Sequence, residues 1–255
     1  MESLMDFPLL VFVLFLVVLW LSAQTGAYFR RRFSGLDEGV RQDLGVILAA
    51  ALTLLGLIIG FTFSMAVTRY DQRKNYEEEE ANAIGTEYLR VGLLPAADAK
   101  RARELLKSYL DERVLFYTAR NARELKQINA AAAQLQSDLW SAVQAPAVAQ
   151  PTPTAALAAS GMNDVLNSQG YTQAAWWNRI PIAAWWLMAA VAICCNVLLG
   201  FSTRTINGKA RMFFILPLIV SIAFFLIADI DSPRHGVIRV HPQNLTSLVE
   251  SLRTP

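Results

Sequence analysis

Residues 44–67 read LGVILAAALTLLGLIIGFTFSMAV, and residues 68–80 continue as TRYDQRKNYEEEE. The first stretch carries no Asp, Glu, Lys or Arg and is long enough to cross about 30 Å of hydrocarbon as a helix. No Pro follows until Pro95, and Ala81, Ile84, Tyr88 and Val91 recur at helical spacing. The expected structure is therefore one long helix that leaves the membrane and runs on into water.

Three further runs without charge lie outward from this one: Phe7 to Ala23, Ile180 to Phe201 and Phe213 to Ala228. They explain why the chain is 54% apolar and only 17% charged, with a mean hydropathy of +0.33, where a soluble domain carries about 45–50% and about 25%. The reading is an all-α, four-span helical membrane protein with the lipid bilayer as its first partner. Residues 1–67 hold spans 7–23 and 44–67, and residues 180–230 hold spans 180–201 and 213–228. Glu2 and Asp6 precede the first run without any Lys or Arg, the wrong flank for a cleaved signal peptide, so that run is expected to be a retained helix. Trp20, Trp176, Trp177, Trp185 and Trp186 fall near span ends, as an aromatic belt would.

The segment between the second and third spans is too long for a loop and has soluble composition. Residues 68–145 are expected to form an extramembrane helical domain. Leu106, Leu110, Val114 and Tyr117 share one helix face, and Leu125, Ile128, Ala132, Leu135, Leu139 and Ala142 form an a/d stripe. That stripe is served either by an antiparallel bundle closing on itself or by a seam between subunits. Residues 146–179 begin PAVAQPTPTAALAAS and read by composition as a linker or pre-membrane segment, and residues 231–255 read as a C-terminal tail.

Scarcity excludes several function classes. Cys194 and Cys195 are adjacent inside an apolar run, and His235 and His241 stand alone in the tail, so neither a metal centre nor a nucleophile with its base can be assembled. The protein is expected not to be an enzyme. A formal net charge of +2 without a basic stripe argues against a nucleic-acid partner, and no cofactor is expected beyond a weakly bound calcium or other cation.

Three constellations remain. Gly45, Ala49, Thr53, Gly56, Gly60 and Ser64 form one small-residue stripe along the second span, which suits close helix packing or a pore lined without bulky side chains. Of the acidic run Glu77 to Glu80, Glu77 and Glu80 extend the apolar face; in an oligomer they would repeat as acidic rings at a pore mouth, unless the run is simply a solvated face. Asp229 and Asp231, with Ser232 and nearby carbonyls, could hold a hard cation or end a helix by pairing with Arg234 or Arg239. Asn196 is the strong hydrogen-bonder of the third span and is expected to bond between helices.

The second span flowing into Arg69-Tyr70-Asp71-Gln72-Arg73, and the ending Asp229-Ile230-Asp231-Ser232-Pro233 with Gly236 and Asn244-Leu245, resemble the bestrophins. The whole chain is similar to the bestrophin-like membrane proteins of bacteria and plants. The resemblance implies a pentameric homo-oligomeric channel for small inorganic ions in a bacterial inner membrane. The second helix of each subunit would line the pore and the helical domain would be cytosolic. Aligned on Tyr70-Asp71, the bulky neck positions of bestrophins fall on Gly56, Gly60 and Ser64, so the usual hydrophobic gate is absent. Loop charge does not decide orientation: Arg30, Arg31, Arg32, Arg41, Arg204, Lys209 and Arg211 on one side nearly balance Arg69, Arg73, Lys74, Arg179, Arg234 and Arg239 on the other. The competing reading is a non-conducting membrane sensor or scaffold whose helical domain binds a partner.

Overall fold

The structure is a computed structural model that describes residues 4–32, 38–202 and 212–253. Arg204, Lys209 and Arg211, counted above for orientation, lie outside the described residues. Among those described, the chain is all-α: α1 (Pro8–Arg32), α2 (Glu38–Arg90), α3 (Ala96–Thr118), α4 (Ala122–Ala149), α5 (Pro153–Trp177), α6 (Ile182–Ser202), α7 (Met212–Asp231) and α8 (Gln243–Arg253). Four helices, α1, α2, α6 and α7, contain stretches long and apolar enough to span a membrane. The chain divides into a membrane unit, residues 1–69 and 179–239, and a helical unit, residues 70–178 and 240–255.

In the membrane unit, α1 packs against both α6 and α7. Its buried face is Val11, Phe15, Leu19, Ala23, Gly26 and Ala27, and Phe15 meets Phe224 edge-on at 4.7 Å between ring centroids. The tightest crossing is glycine-mediated. A Cβ on Gly26 would overlap the Val197 carbonyl, and one on Gly200 would overlap the Ala23 carbonyl. Small residues thus bring the α1 and α6 backbones together where hydrophobic drive between helices is lacking. Asn196, also on α6, is fully buried but bonds its own helix: its amide donates to the Ala192 carbonyl at 2.8 Å. Among the described residues it makes no bond to another helix.

In the helical unit, α3 ends at Thr118, and Asn121 starts α4 by accepting from the Glu124 N–H at 2.7 Å while its amide donates back to the Glu124 carboxylate, a reciprocal cap. The α4 stripe is satisfied inside the subunit: Ile128, Ala132, Leu139 and Ala142 are buried and α4 packs on α3 and α5. The segment 146–179 departs from its expected linker role. α4 continues through the buried Pro146 to Ala149, and α5 follows at once. Thr152 caps it by accepting from the Ala155 N–H at 3.2 Å, and Pro153 occupies the first turn, a pair of start signals that outweighs the loop-like composition. Ala155, Ala158, Met162 and Val165 then enter the same core as Ile84, Leu106, Leu139 and Leu245. The tail is likewise partly helical, since α8 contributes Leu245 to that core.

Two tryptophans leave the expected aromatic belt. Trp176 is buried against Phe116 and Tyr117, at 4.9 and 5.4 Å between centroids, and Trp185 is buried near Phe224. Trp20, Trp177 and Trp186 stay exposed.

Candidate functional site

α2 carries most of the residues singled out by sequence, and one helical face organises them. Leu48, Leu55, Thr62, Ala66, Arg73, Glu77, Glu80, Ile84, Glu87 and Val91 are all buried, at intervals of four, three and seven that keep them on one side. The small-residue stripe lies on a different face. Gly45, Ala49, Thr53, Gly56, Gly60 and Ser64 are exposed, and a Cβ built on Gly45, Gly56 or Gly60 would meet nothing within 4 Å. Among the described residues, the subunit does not use this stripe to pack on itself.

Within the acidic run Glu78 and Glu79 are exposed, while Glu77 and Glu80 take neither expected role, pore-mouth ring nor solvated face. Glu77 and Glu80 do point inward, yet they are 1% and 0% exposed, so they are not free acids at a pore mouth. The Glu80 carboxylate forms an ion pair with Arg113 and accepts from the Thr172 hydroxyl at 3.1 Å. Burial works against the Arg113 charge, and Glu80 with Tyr109 outweighs it, holding the guanidinium above its ordinary range. Tyr109 and Tyr117, desolvated and facing Glu80, are both pushed up and stay neutral. Glu77 accepts from the Leu245 N–H at 2.9 Å and from the Asn244 amide at 2.6 Å, which satisfies an orphan donor in the first turn of α8. Arg73, one turn before Glu77, donates to the carbonyls of Ala175 and Asn178 where α5 ends. Arg113 is legible in outline, as a lone cation on the apolar face of α3, and Asn244 stands out through its place in the ending motif, although its tie to Glu77 does not; Thr172 carries no such mark.

Glu87 differs from its neighbours. It is 0% exposed, and among the described residues neither carboxylate oxygen has a hydrogen-bond partner. Gly161 makes room for it, since a Cβ there would overlap the carboxylate. Burial pushes the carboxyl up to about 8; Arg90 pulls it down, and Asp164, 3.7 Å from Arg90, pushes it up. A folded-state value raised above the unfolded one means that the native chain keeps a proton the unfolded chain has lost. Stability then falls as pH rises from about 4.5 to about 8, by about 1.4 kcal/mol per pH unit. In thermal unfolding of the detergent-purified protein, Glu87→Gln should flatten this loss between pH 5 and 8; parallel curves for the two proteins would refute the assignment.

In the membrane unit, Asp229 and Asp231 turn their oxygens to protein donors. Asp229 accepts from the N–H groups of Val237 and Ile238 at 2.7 and 2.8 Å, and Gly236 lets the chain fold back onto the Asp229 carbonyl. Asp231 accepts from Arg179 at 3.0 Å and from the Ile180 N–H at 3.2 Å, with Arg69 at 4.0 Å. Arg179 also reaches Asp6, and the two carboxylates hold its guanidinium up against the cost of burial. A hard cation needs six to eight oxygens; here the expected cation site is a turn and an arginine clamp. Arg179 and Arg69 both reach the Asp231 carboxylate. Among the described residues no group of three or more His, Cys, Asp or Glu could hold a metal ion.

A family model, the bestrophin-like domain, matches residues 9–245. Solved structures of variants of a bacterial bestrophin homologue from Klebsiella pneumoniae have the same fold. One aligns with a TM-score of 0.62 at 13% identity, covering 96% of this chain and 97% of that one. Another reaches 0.64 at 13% identity, over 94% and 96%. No curated protein matches the chain.

Proposed function

Because the chain belongs to the bestrophin-like family, we propose that it forms a homo-oligomeric ion channel of the bacterial inner membrane, a pentamer by kinship, with α2 of each subunit lining the pore. The observation that carries this reading is the exposed face of α2: a Cβ built on Gly45, Gly56 or Gly60 would meet nothing within 4 Å among the described residues, which leaves this face for a water-filled path or for the next subunit. The buried face of the same helix is already taken up by its own subunit.

The burial of Glu77 and Glu80 moves the electrostatics of that path to other residues. On the continuous α2 helix, Gly60, Ser64, Asp71 and Glu78 follow at intervals of four, seven and seven, and Asp71 and Glu78 are exposed. Repeated around an axis they form acidic rings, with Lys74 the opposing charge nearby, and acidic rings concentrate cations. Asp71→Asn with Glu78→Gln is expected to lower the cation preference of ion flux into proteoliposomes without abolishing it; unchanged selectivity would remove these two residues from the path. The same kinship supports a cytosolic helical unit, and labelling of a cysteine at Gln127 by an impermeant reagent in intact spheroplasts would contradict that. A native mass equal to one 28.3 kDa chain would end the oligomer reading and favour the sensor or scaffold.

A further inference from the structure

The helical unit contains a cavity of about 490 Å³ where α2 gives way to α3, lined by Tyr88, Gly92, Lys100, Arg103, Glu104 and Lys107 among others. Lys100, Arg103 and Lys107 recur at intervals of three and four, so three cations share one face of α3. Arg103 and Lys107 both lie over the Tyr88 ring, at 5.3 and 5.7 Å from its centroid. Their hydrogen-bond acceptors are neutral: Arg103 donates its Nε to the Tyr88 carbonyl at 3.3 Å, and Lys107 donates to the Leu252 carbonyl at 2.9 Å. None of the three pairs with a carboxylate among the described residues.

Like charges at this spacing repel, and here they are held in place. Gly92 allows the guanidinium to lie down, since a Cβ there would stand 2.5 Å from its Nη2, and the aromatic face favours both cations. Each keeps unused donors: the terminal N–H groups of Arg103 and two of the three on Lys107. Lys100 is exposed and free to close over the opening.

We propose that this cavity binds a compact phosphate-bearing anion. The volume falls within the roughly 300–1,000 Å³ of small-molecule sites, and the arginine fork with two ammonium groups suits a multivalent oxyanion. Glu104, the carboxylate on the lining, opposes a singly charged ligand and so selects for a higher charge. The phosphate can belong to a soluble metabolite or to a lipid headgroup.

Titration of the full-length detergent-purified protein with inorganic pyrophosphate, and separately with a short-chain phosphatidic acid against phosphatidylcholine, tests the proposal without reference to conduction. Lys100→Glu is expected to weaken binding at least tenfold and Glu104→Gln to tighten it several-fold, while Lys126→Glu, on exposed α4 surface, leaves it unchanged. Because Lys100 makes no contact needed for folding, its variant should unfold at the wild-type temperature. A response with pyrophosphate assigns a soluble ligand, and a response with phosphatidic acid alone assigns a headgroup. If neither phosphate probe binds, or neither senses Lys100→Glu, the proposal is overturned.

Discussion

Arg113→Met lowers the stability of the helical unit by about 3–5 kcal/mol, the cost of leaving one member of a buried ion pair without its partner. Arg113 and Glu80 are each 0% exposed, so no water replaces the guanidinium when it is removed. The Thr172 and Tyr117 hydroxyls that also reach Glu80 are too few to solvate a bare carboxylate. Glu80→Leu combined with Arg113→Met removes both charges and should recover most of the loss, since well-packed apolar replacements for buried pairs are often neutral or better. The readout is thermal unfolding of the purified protein. A single variant that melts with the wild type, or a double variant no better than the single, would show that the pair does not hold the domain.

The second large effect is expected at the α1–α6 crossing. Gly200→Leu or Gly26→Leu forces a side chain into the opposing backbone carbonyl, which a flexible neighbour cannot relieve, and should cost about 3 kcal/mol or more. Folded protein recovered in detergent should fall sharply. Gly56→Leu and Gly60→Leu are the internal contrast: their Cβ positions are open in the subunit, so the fold should survive and any effect should appear in assembly or flux. Equal loss of folded protein at all four positions would mean that the α2 stripe packs within its own chain after all.

These contrasts mark what the amino-acid sequence makes legible. Spans are set by uninterrupted apolar length, and the α4 stripe by spacing, so both can be read locally. Small residues do let helices approach closely, and within the subunit they do so at the α1–α6 crossing rather than along α2. Gly26 and Gly200 do the packing within the subunit; Gly26 follows Ser22 at the small-xxx-small spacing, but that short pattern is less conspicuous than the six-residue stripe of α2. Glu77 and Glu80 were legible as inward-facing, whereas their partners Arg113, Asn244 and Thr172 come from three distant elements that only tertiary packing brings together. The α5 helix was hidden by composition: Pro, Ala, Thr and Ser also describe a linker, and the decisive signal was the order Thr152-Pro153, a cap followed by the residue best suited to a first turn. Asp229 and Asp231 could be read either as cation ligands or as a helix-ending turn, because their donors, three backbone N–H groups and Arg179, are invisible to side-chain spacing.

The central claim is that α2 lines an ion path, and ion flux into proteoliposomes containing the assembled oligomer tests it most directly. The account predicts flux for the unmodified protein and a marked reduction for Gly60→Leu in an oligomer of unchanged mass, because the added side chain enters the open face of α2. An assembled oligomer that carries no ions under varied voltage, pH and calcium would contradict it, and a Gly60→Leu protein conducting as the wild type does would take α2 out of the path.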